Sequence, residues 1–288
     1  MAIEERDPRF LDIDLLSVEG IINIMNEGDL RVVEAIRDAT GSISRAVRDA
    51  IHTIQFGGRI IYIGAGTSGR LGVLDASEMQ PTFNLPKGVF RAIIAGGEEA
   101  FATSVEGAED DEDAGRSSVS DVTGKDMFLG ITTSGTTPFV ISALREGKRK
   151  GAKCWLLTCR NVEYDFLDGV IRVLVGPEII SGSTRLKAGT AAKMVLNMVS
   201  TITMIKLGGF YKGYMVDVVP SSKKLKNRAL SIIQNITGCS HEEAEVFLEK
   251  AGGNAKAAVL MYLKRLSYED ARKLLKTLDG SLRRALEL

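Results

Sequence analysis

An α/β fold is predicted, a doubly wound, five-stranded parallel sheet with helices on both faces and a small all-helical unit after it. Three observations predict it. Short apolar, β-branched segments alternate with segments of helical period from residue 59 to residue 208. Two of those strands open directly into turns of glycine and hydroxyl residues, and open parallel sheets carry such turns at their carboxyl edge. Beyond Met215 the strand patterns stop, and only short amphipathic helical segments follow.

In chain order, residues 1–16 lack periodicity and read as an extended arm. Helical spacing covers Val18 to Asn26 and again Leu30 to Phe56, where Val32, Ile36, Ile43, Val47, Ile51 and Ile54 recur at roughly three-to-four-residue intervals. The pair Gly57–Gly58 ends that helix. Arg59 to Ile63 reads as a buried strand, followed by a glycine turn and a helical run, Leu71 to Met79, that carries Asp75 and Glu78. A second strand, Arg91 to Ala95, and a helix near Glu98 to Glu106 lead to EGAEDDEDAG, a solvent-facing loop or helix end. The third strand, Met127 to Thr132, opens into TTSGTTP and a helix through Lys150. Lys153 to Thr158 and Val170 to Val175 complete the sheet. A third hydroxyl cluster, Ser181, Ser183 and Thr184, then precedes a long helix with Lys187 and Lys193 near its start. From Ser222 the helices are punctuated at Thr237–Gly238, Gly252–Gly253 and Asp279–Gly280, with Ser240 an N-cap and Glu243 its capping-box partner. The expected organisation is an arm and helices over 1–45, a ligand-binding domain over 46–215 and a helical domain over 216–288.

Composition narrows the chemistry. Lys plus Arg and Asp plus Glu each number 37, a formal net charge of +0, which argues against a nucleic-acid surface. The three cysteines and two histidines have no metal-ligand or disulfide-framework spacing, so no metal is expected and a reducing cytoplasm fits. The first ten residues are charged and lack an apolar signal core. Ala191 to Leu207, the longest apolar region, is interrupted by Lys193, Asn197, Ser200, Thr201, Thr203 and Lys206 and is expected not to enter a membrane. A small-molecule partner is the expectation that remains.

The glycine turn is the centre of the reading. Gly64, Gly66 and Gly69 fit the dinucleotide spacing G-x-G-x-x-G, but the strand after it ends in Gly96 and Gly97 where a ribose-binding acid would stand. The turn offers hydroxyls instead, Thr67 and Ser68, beside the backbone N–H groups of a helix start. That chemistry suits a phosphate monoester; the bland alternative is a strand-to-helix turn capped by Ser68. TTSGTTP repeats the same logic at the next strand, and two such turns converging on one sheet edge favour a phosphate site.

With these motifs in register, the chain resembles the N-acetylmuramic acid 6-phosphate etherases over essentially its whole length. Those are sugar isomerase (SIS) domain proteins related to the glucokinase regulatory protein. The resemblance is carried by IDLLS, GAGTSGRLGVLDASE, EGAEDD, TTSGTTPFV, EIISGSTRLKAGTAAKMVLNM with MVDVV after it, and ITGCS…AGGNAKAAV, which is similar to a ubiquitin-associated (UBA-like) helical fold. Two departures are visible: the arm reads EERDPRF where the family tends to have an Arg-Asn pair, and Thr136 stands where a basic residue is frequent. The resemblance implies a SIS fold and cleavage of the D-lactyl ether of N-acetylmuramic acid 6-phosphate without a cofactor. It implies Glu78 as proton donor to the departing lactate and Glu109 as the base at C2. The phosphate is expected on Gly66, Thr67 and Ser68 of the first turn and Ser134, Gly135, Thr136 and Thr137 of the second, with Ser183 and Lys187 contributing from the third. It also implies a homodimer with sites at the interface.

The chemistry has a physical basis. An ether at C3 leaves poorly, but in the open-chain sugar it lies β to an aldehyde, so the C2 proton is acidified and elimination becomes feasible. Such a reaction needs a base, an acid and a firm hold on the phosphate. Two carboxylates in different surroundings can divide the acid and base roles. The rival readings are an aldose–ketose isomerase, which needs no second acid at C3, and a non-catalytic sugar-phosphate sensor, which needs neither acid.

Overall fold

Five residues in a row, Ile60–Gly64 (β1), are wholly buried, the signature of a strand covered on both faces. The computed structural model, which describes residues 6–288, pairs it in parallel with Phe90–Ile94 (β2) on one side and Met127–Ile131 (β3) on the other. Lys153–Thr158 (β4) and Gly169–Arg172 (β5) continue the sheet, so the order is β2-β1-β3-β4-β5 with every pair parallel. The expected five-stranded parallel sheet is therefore present, and its strands start and end within a few residues of the sequence reading. Residues 1–5 of the expected arm lie outside the described residues.

Helices cover the sheet. Val18–Asp38 (α1) and Thr40–Gln55 (α2) precede it, and Trp155 of β4 donates its indole N–H to Asp49 of α2 at 2.9 Å. Gly66–Phe83 (α3) follows β1, Glu112–Ser117 (α4) precedes β3, and Pro138–Arg149 (α5) follows it. Phe139, Val140, Ala143 and Leu144 of α5 pack with Ile61, Ile63, Phe128 and Leu156 of the strands in one core cluster. Lys187–Met204 (α6) buries Ala188, Ala191, Val195, Leu196 and Val199. By length and composition the stretch Lys187–Gly209 would suffice to cross a membrane, but 56% of the apolar window within it is buried, as in a core helix.

The chain divides into two compact units, one holding the residues up to Ser77 with Gly88–Ser200, the other Glu78–Lys87 with Thr201–Leu288. The second contains a two-stranded hairpin, Phe210–Tyr211 (β6) and Tyr214–Met215 (β7), that the sequence pattern did not disclose. It continues as Lys223–Thr237 (α7), His241–Lys250 (α8), Ala255–Lys264 (α9), Tyr268–Thr277 (α10) and Leu282–Glu287 (α11). Ile232 and Ile233, Ala244 and Leu248, and Ala258 to Leu260 fill its core. The capping box forms as expected: Ser240 accepts from the Glu243 N–H at 3.1 Å, and Glu243 accepts from the Ser240 N–H at 2.9 Å. Asp217 and Lys256 form an ion pair at 2.6 Å inside this unit, and the ammonium also donates to the Gly280 carbonyl at 2.9 Å.

Two helix expectations are corrected. The first helices divide at Ala39, not between Asn26 and Leu30, because Gly28 is accommodated within α1 at a cost of about 1 kcal/mol. Residues Glu98 to Glu106 do not form an α-helix; a 3-10 turn, Gly97–Phe101, is all that forms between two left-handed glycines and the loop beyond.

Candidate active site

The two hydroxyl turns meet because β1 and β3 are in register. Gly64 pairs with Ile131, so the chain leaves both strands at the same height on the carboxyl edge of the sheet. At Gly64 a Cβ would lie 2.6 Å from the Gly69 nitrogen, so only glycine lets the first turn of α3 fold down against the end of the strand. Thr67 and Ser68 consequently sit in the opening turn of a helix with unpaired N–H groups beside them.

The second turn is organised by its own hydroxyls. Thr132, buried, shares a hydrogen bond with Thr137 at 2.6 Å and with Ser134 at 3.2 Å. The Thr136 N–H and hydroxyl both donate to Ser134 Oγ, at 3.3 and 3.2 Å. Gly135 adopts φ +76, and its carbonyl accepts from the Tyr164 hydroxyl at 2.9 Å. Pro138 begins α5, where its missing N–H costs nothing.

A cavity of about 420 Å³ opens between the turns. Gly66, Thr67 and Ser68 line it from the first and Ser134, Thr136 and Thr137 from the second. Glu109 and Asp110 close it from the acid-rich loop, and Thr184 reaches it from the third cluster. Of the acid-rich stretch, therefore, the structure selects Glu109 and Asp110 for the cavity and spends Asp111 on capping α4, through a 2.8 Å bond from the Ala114 N–H. Glu78 is exposed on α3, in the second compact unit, and is not among the residues that line the cavity. Gly135 shapes the second turn without lining the cavity. Ser183 and Lys187 also lie outside the lining.

Lys187 is instead a buried residue of the α6 start. Its ammonium donates to the Val175 carbonyl at 3.1 Å, and burial pushes its pKa down. Glu178 accepts from the backbone N–H groups of Lys187 at 3.0 Å and Ala188 at 2.9 Å, capping α6 from nine residues upstream. Burial raises the Glu178 pKa against those bonds. The cap fixes the segment that brings Thr184 to the cavity.

Two further side chains hold the site's framework, and spacing alone gave no sign of either. Arg70, three residues after Thr67, donates to the carbonyls of Ala100 at 2.9 Å, Phe101 at 3.2 Å and Thr103 at 2.6 Å. It thereby fastens the loop that leads to Glu109 onto the first turn of α3. Asp75 is buried and accepts from the Tyr62 hydroxyl at 3.0 Å, the Asn197 amide at 2.6 Å and the Ser200 hydroxyl at 3.1 Å, tying α3 to β1 and α6. Burial, with the nearby Asp75 charge, raises the Tyr62 pKa well above its usual value, so the phenol stays a donor.

The arrangement offers anion-binding hydroxyls and N–H groups at one end of a cavity and a solvent-accessible carboxylate at its side. Comparison with known proteins agrees with that chemistry. Residues 42–148 match the glucokinase regulatory protein N-terminal SIS domain, and residues 233–264 match a UBA-like domain. The chain is 43% identical over 291 residues to the N-acetylmuramic acid 6-phosphate etherase of Geobacillus thermodenitrificans, covering 100% of this chain and 99% of that protein. It is 44% identical to that of Rhizobium rhizogenes, covering 98% and 94%, and 45% identical to N-acetylmuramic acid 6-phosphate etherase 2 of Vibrio cholerae, covering 99% and 94%. With such identity along nearly the whole of both sequences, the chain belongs to the N-acetylmuramic acid 6-phosphate etherase family.

Proposed function

We propose that the chain cleaves the D-lactyl ether of N-acetylmuramic acid 6-phosphate, giving N-acetylglucosamine 6-phosphate and D-lactate, in the cytoplasmic recycling of cell-wall amino sugars. The observation that carries the reading is the cavity itself, where two hydroxyl turns stand beside Glu109 in a chain of this family. The phosphate rests on Thr67 and Ser68 of the first turn and on Ser134, Thr136 and Thr137 of the second, with Thr184 beside them. Gly66 and Gly135 supply the backbone shape. Glu109 removes the C2 proton of the open-chain sugar; the C3–O bond breaks with its electron pair passing to the lactate oxygen, which takes a proton from Glu78. Water then adds at C3, giving a proton to the carboxylate that Glu78 has become, and C2 regains the proton held by Glu109, so both acids end as they began.

The active assembly in this reading is a homodimer in which a second copy supplies part of each site. Glu78 supports it, because the acid is not among the residues that line the cavity. An apolar stripe on α1 supports it too: Val18, Ile22, Met25, Leu30 and Val33 are all exposed, following exposed Leu15 and Leu16. Residues 46–215 form the sugar-phosphate domain, 1–45 the arm and helices that precede it, and 216–288 the helical appendage.

The test is D-lactate release from N-acetylmuramic acid 6-phosphate by purified protein in the presence of a chelator, beside the unphosphorylated sugar. Release from the phosphorylated sugar alone is expected. No release, with N-acetylglucosamine 6-phosphate still bound, would move the chain to the sensor or isomerase class.

A further inference from the structure

The substrate of this reading carries two anionic groups, the 6-phosphate and the carboxylate of the lactyl ether. Among the described residues that line the main cavity none is Lys or Arg, and two, Glu109 and Asp110, are acids. Hydroxyls and N–H groups can hold the phosphate, but nothing there answers the carboxylate.

A second cavity, of about 310 Å³, adjoins the first and shares Thr136 and Pro138 with it. It runs along one face of α5, past Ile141 and Ser142 to Arg145 and Arg149, and is walled opposite by Glu112 and Arg116 of α4. Two of the three arginines are already paired: Arg149 with both oxygens of Glu146 at 2.7 and 2.8 Å, Arg116 with Asp113 at 2.5 Å and Glu112 at 3.4 Å. Arg145 has no carboxylate partner among the described residues. Its guanidinium lies over the Phe166 ring, 5.4 Å from the centroid, an arrangement that orients the group and leaves its N–H edge free. Phe166 packs on Tyr164 with ring centroids 5.5 Å apart, and Tyr164 in turn donates to the Gly135 carbonyl. The arginine is thus mounted on the same support as the phosphate turn.

The order of residues shows the same adjacency. Glu109 lines the first cavity, and Glu112, three residues on, lines the second. The cavity that holds Arg145 is thus the neighbour of the one that holds Glu109.

We infer that Arg145 is the carboxylate anchor of the lactyl group, a subsite that rests on the etherase reading above. Its guanidinium binds the carboxylate in two-pronged fashion, with Arg116 and Arg149 adding positive field. Thr136, at the boundary of the two cavities, stands where the resemblance leads one to expect a basic residue; in this chain the cation comes from two turns further down α5 instead.

The experiment compares two ligands that differ in the lactyl group. Arg145 is exposed, so its replacement leaves the core intact. In Arg145→Gln, KM for N-acetylmuramic acid 6-phosphate should rise about 10- to 100-fold, the factor a charge-assisted hydrogen bond carries. Affinity for N-acetylglucosamine 6-phosphate, which lacks the carboxylate, should stay within about twofold, since its contacts are all in the other cavity. Competitive inhibition by D-lactate should weaken in parallel, and Arg145→Lys, which keeps the charge without the two-pronged fork, should retain part of the lower KM. An unchanged KM, or equal weakening of both sugar phosphates, would overturn the subsite. A wild-type protein that releases no D-lactate would fail the etherase reading itself, a result distinct from either.

Discussion

Ser134 is the residue on which the second turn depends, since its hydroxyl accepts from both the N–H and the hydroxyl of Thr136 and is hydrogen-bonded to the Thr132 hydroxyl. A phosphate in the cavity would meet a donor set already held in place, which spares the ordering cost of binding. Ser134→Ala should therefore weaken N-acetylglucosamine 6-phosphate binding by about 10- to 100-fold, one hydrogen bond to a charged group. Calorimetry with that ligand checks it, and an unchanged affinity would remove the turn from the site. The two turns were legible in the sequence because hydroxyl, glycine and helix start are neighbours along the chain. The third contribution was not. Whether Ser183, Thr184 or Lys187 reaches the cavity is decided by Glu178, which opens the same motif and caps α6 through the N–H groups of Lys187 and Ala188, while the Lys187 ammonium turns to the buried Val175 carbonyl. No local spacing encodes that carboxylate's destination.

At the scale of elements, strands read well and loops poorly. β1 and β3 are covered on both faces, so their sequence is an unbroken apolar run bounded by glycine or polar residues. The segment from Gly97 to Asp110 has no such rule; it is short 3-10 turns, and its shape is set from outside by Arg70. Carbonyls at the end of the Gly97–Phe101 turn have no partners of their own, and a guanidinium can satisfy several at once. Removing it in Arg70→Ala would free the loop that carries Glu109 while leaving Thr67 and Ser68 in place. Lactate release should fall about 10- to 100-fold, with N-acetylglucosamine 6-phosphate affinity changed by less than about threefold. Hydrogen exchange should accelerate in residues 97–110 and stay slow in β3. Guanidinium ion at millimolar concentration should recover part of the rate. A uniform rise in exchange would instead make Arg70 a general stabiliser, and the split between rate and affinity would vanish with it.

At the scale of the whole molecule, the question is whether one chain makes one site. Glu109 lines the cavity and Glu78 does not, yet the elimination needs an acid at the departing oxygen as well as a base at C2. The stripe of apolar residues on α1 is the kind of surface that a second copy covers in an isologous pair. If each site takes Glu109 from one chain and Glu78 from the other, Glu78→Gln and Glu109→Gln should each be inactive alone as homodimers. Mixed together and allowed to exchange subunits, they should recover activity, because a mixed dimer holds one site with both carboxylates intact. Half the dimers would be mixed and half their sites intact, so the recovered rate should approach about a quarter of the wild-type value. Light scattering should report twice the 31.1 kDa chain mass throughout, which keeps loss of assembly apart from loss of chemistry. Recovery would assign the acid to the partner copy. Two inactive variants that exchange subunits and stay inactive would put both carboxylates in the same chain, and α3 would then have to carry Glu78 to its own cavity.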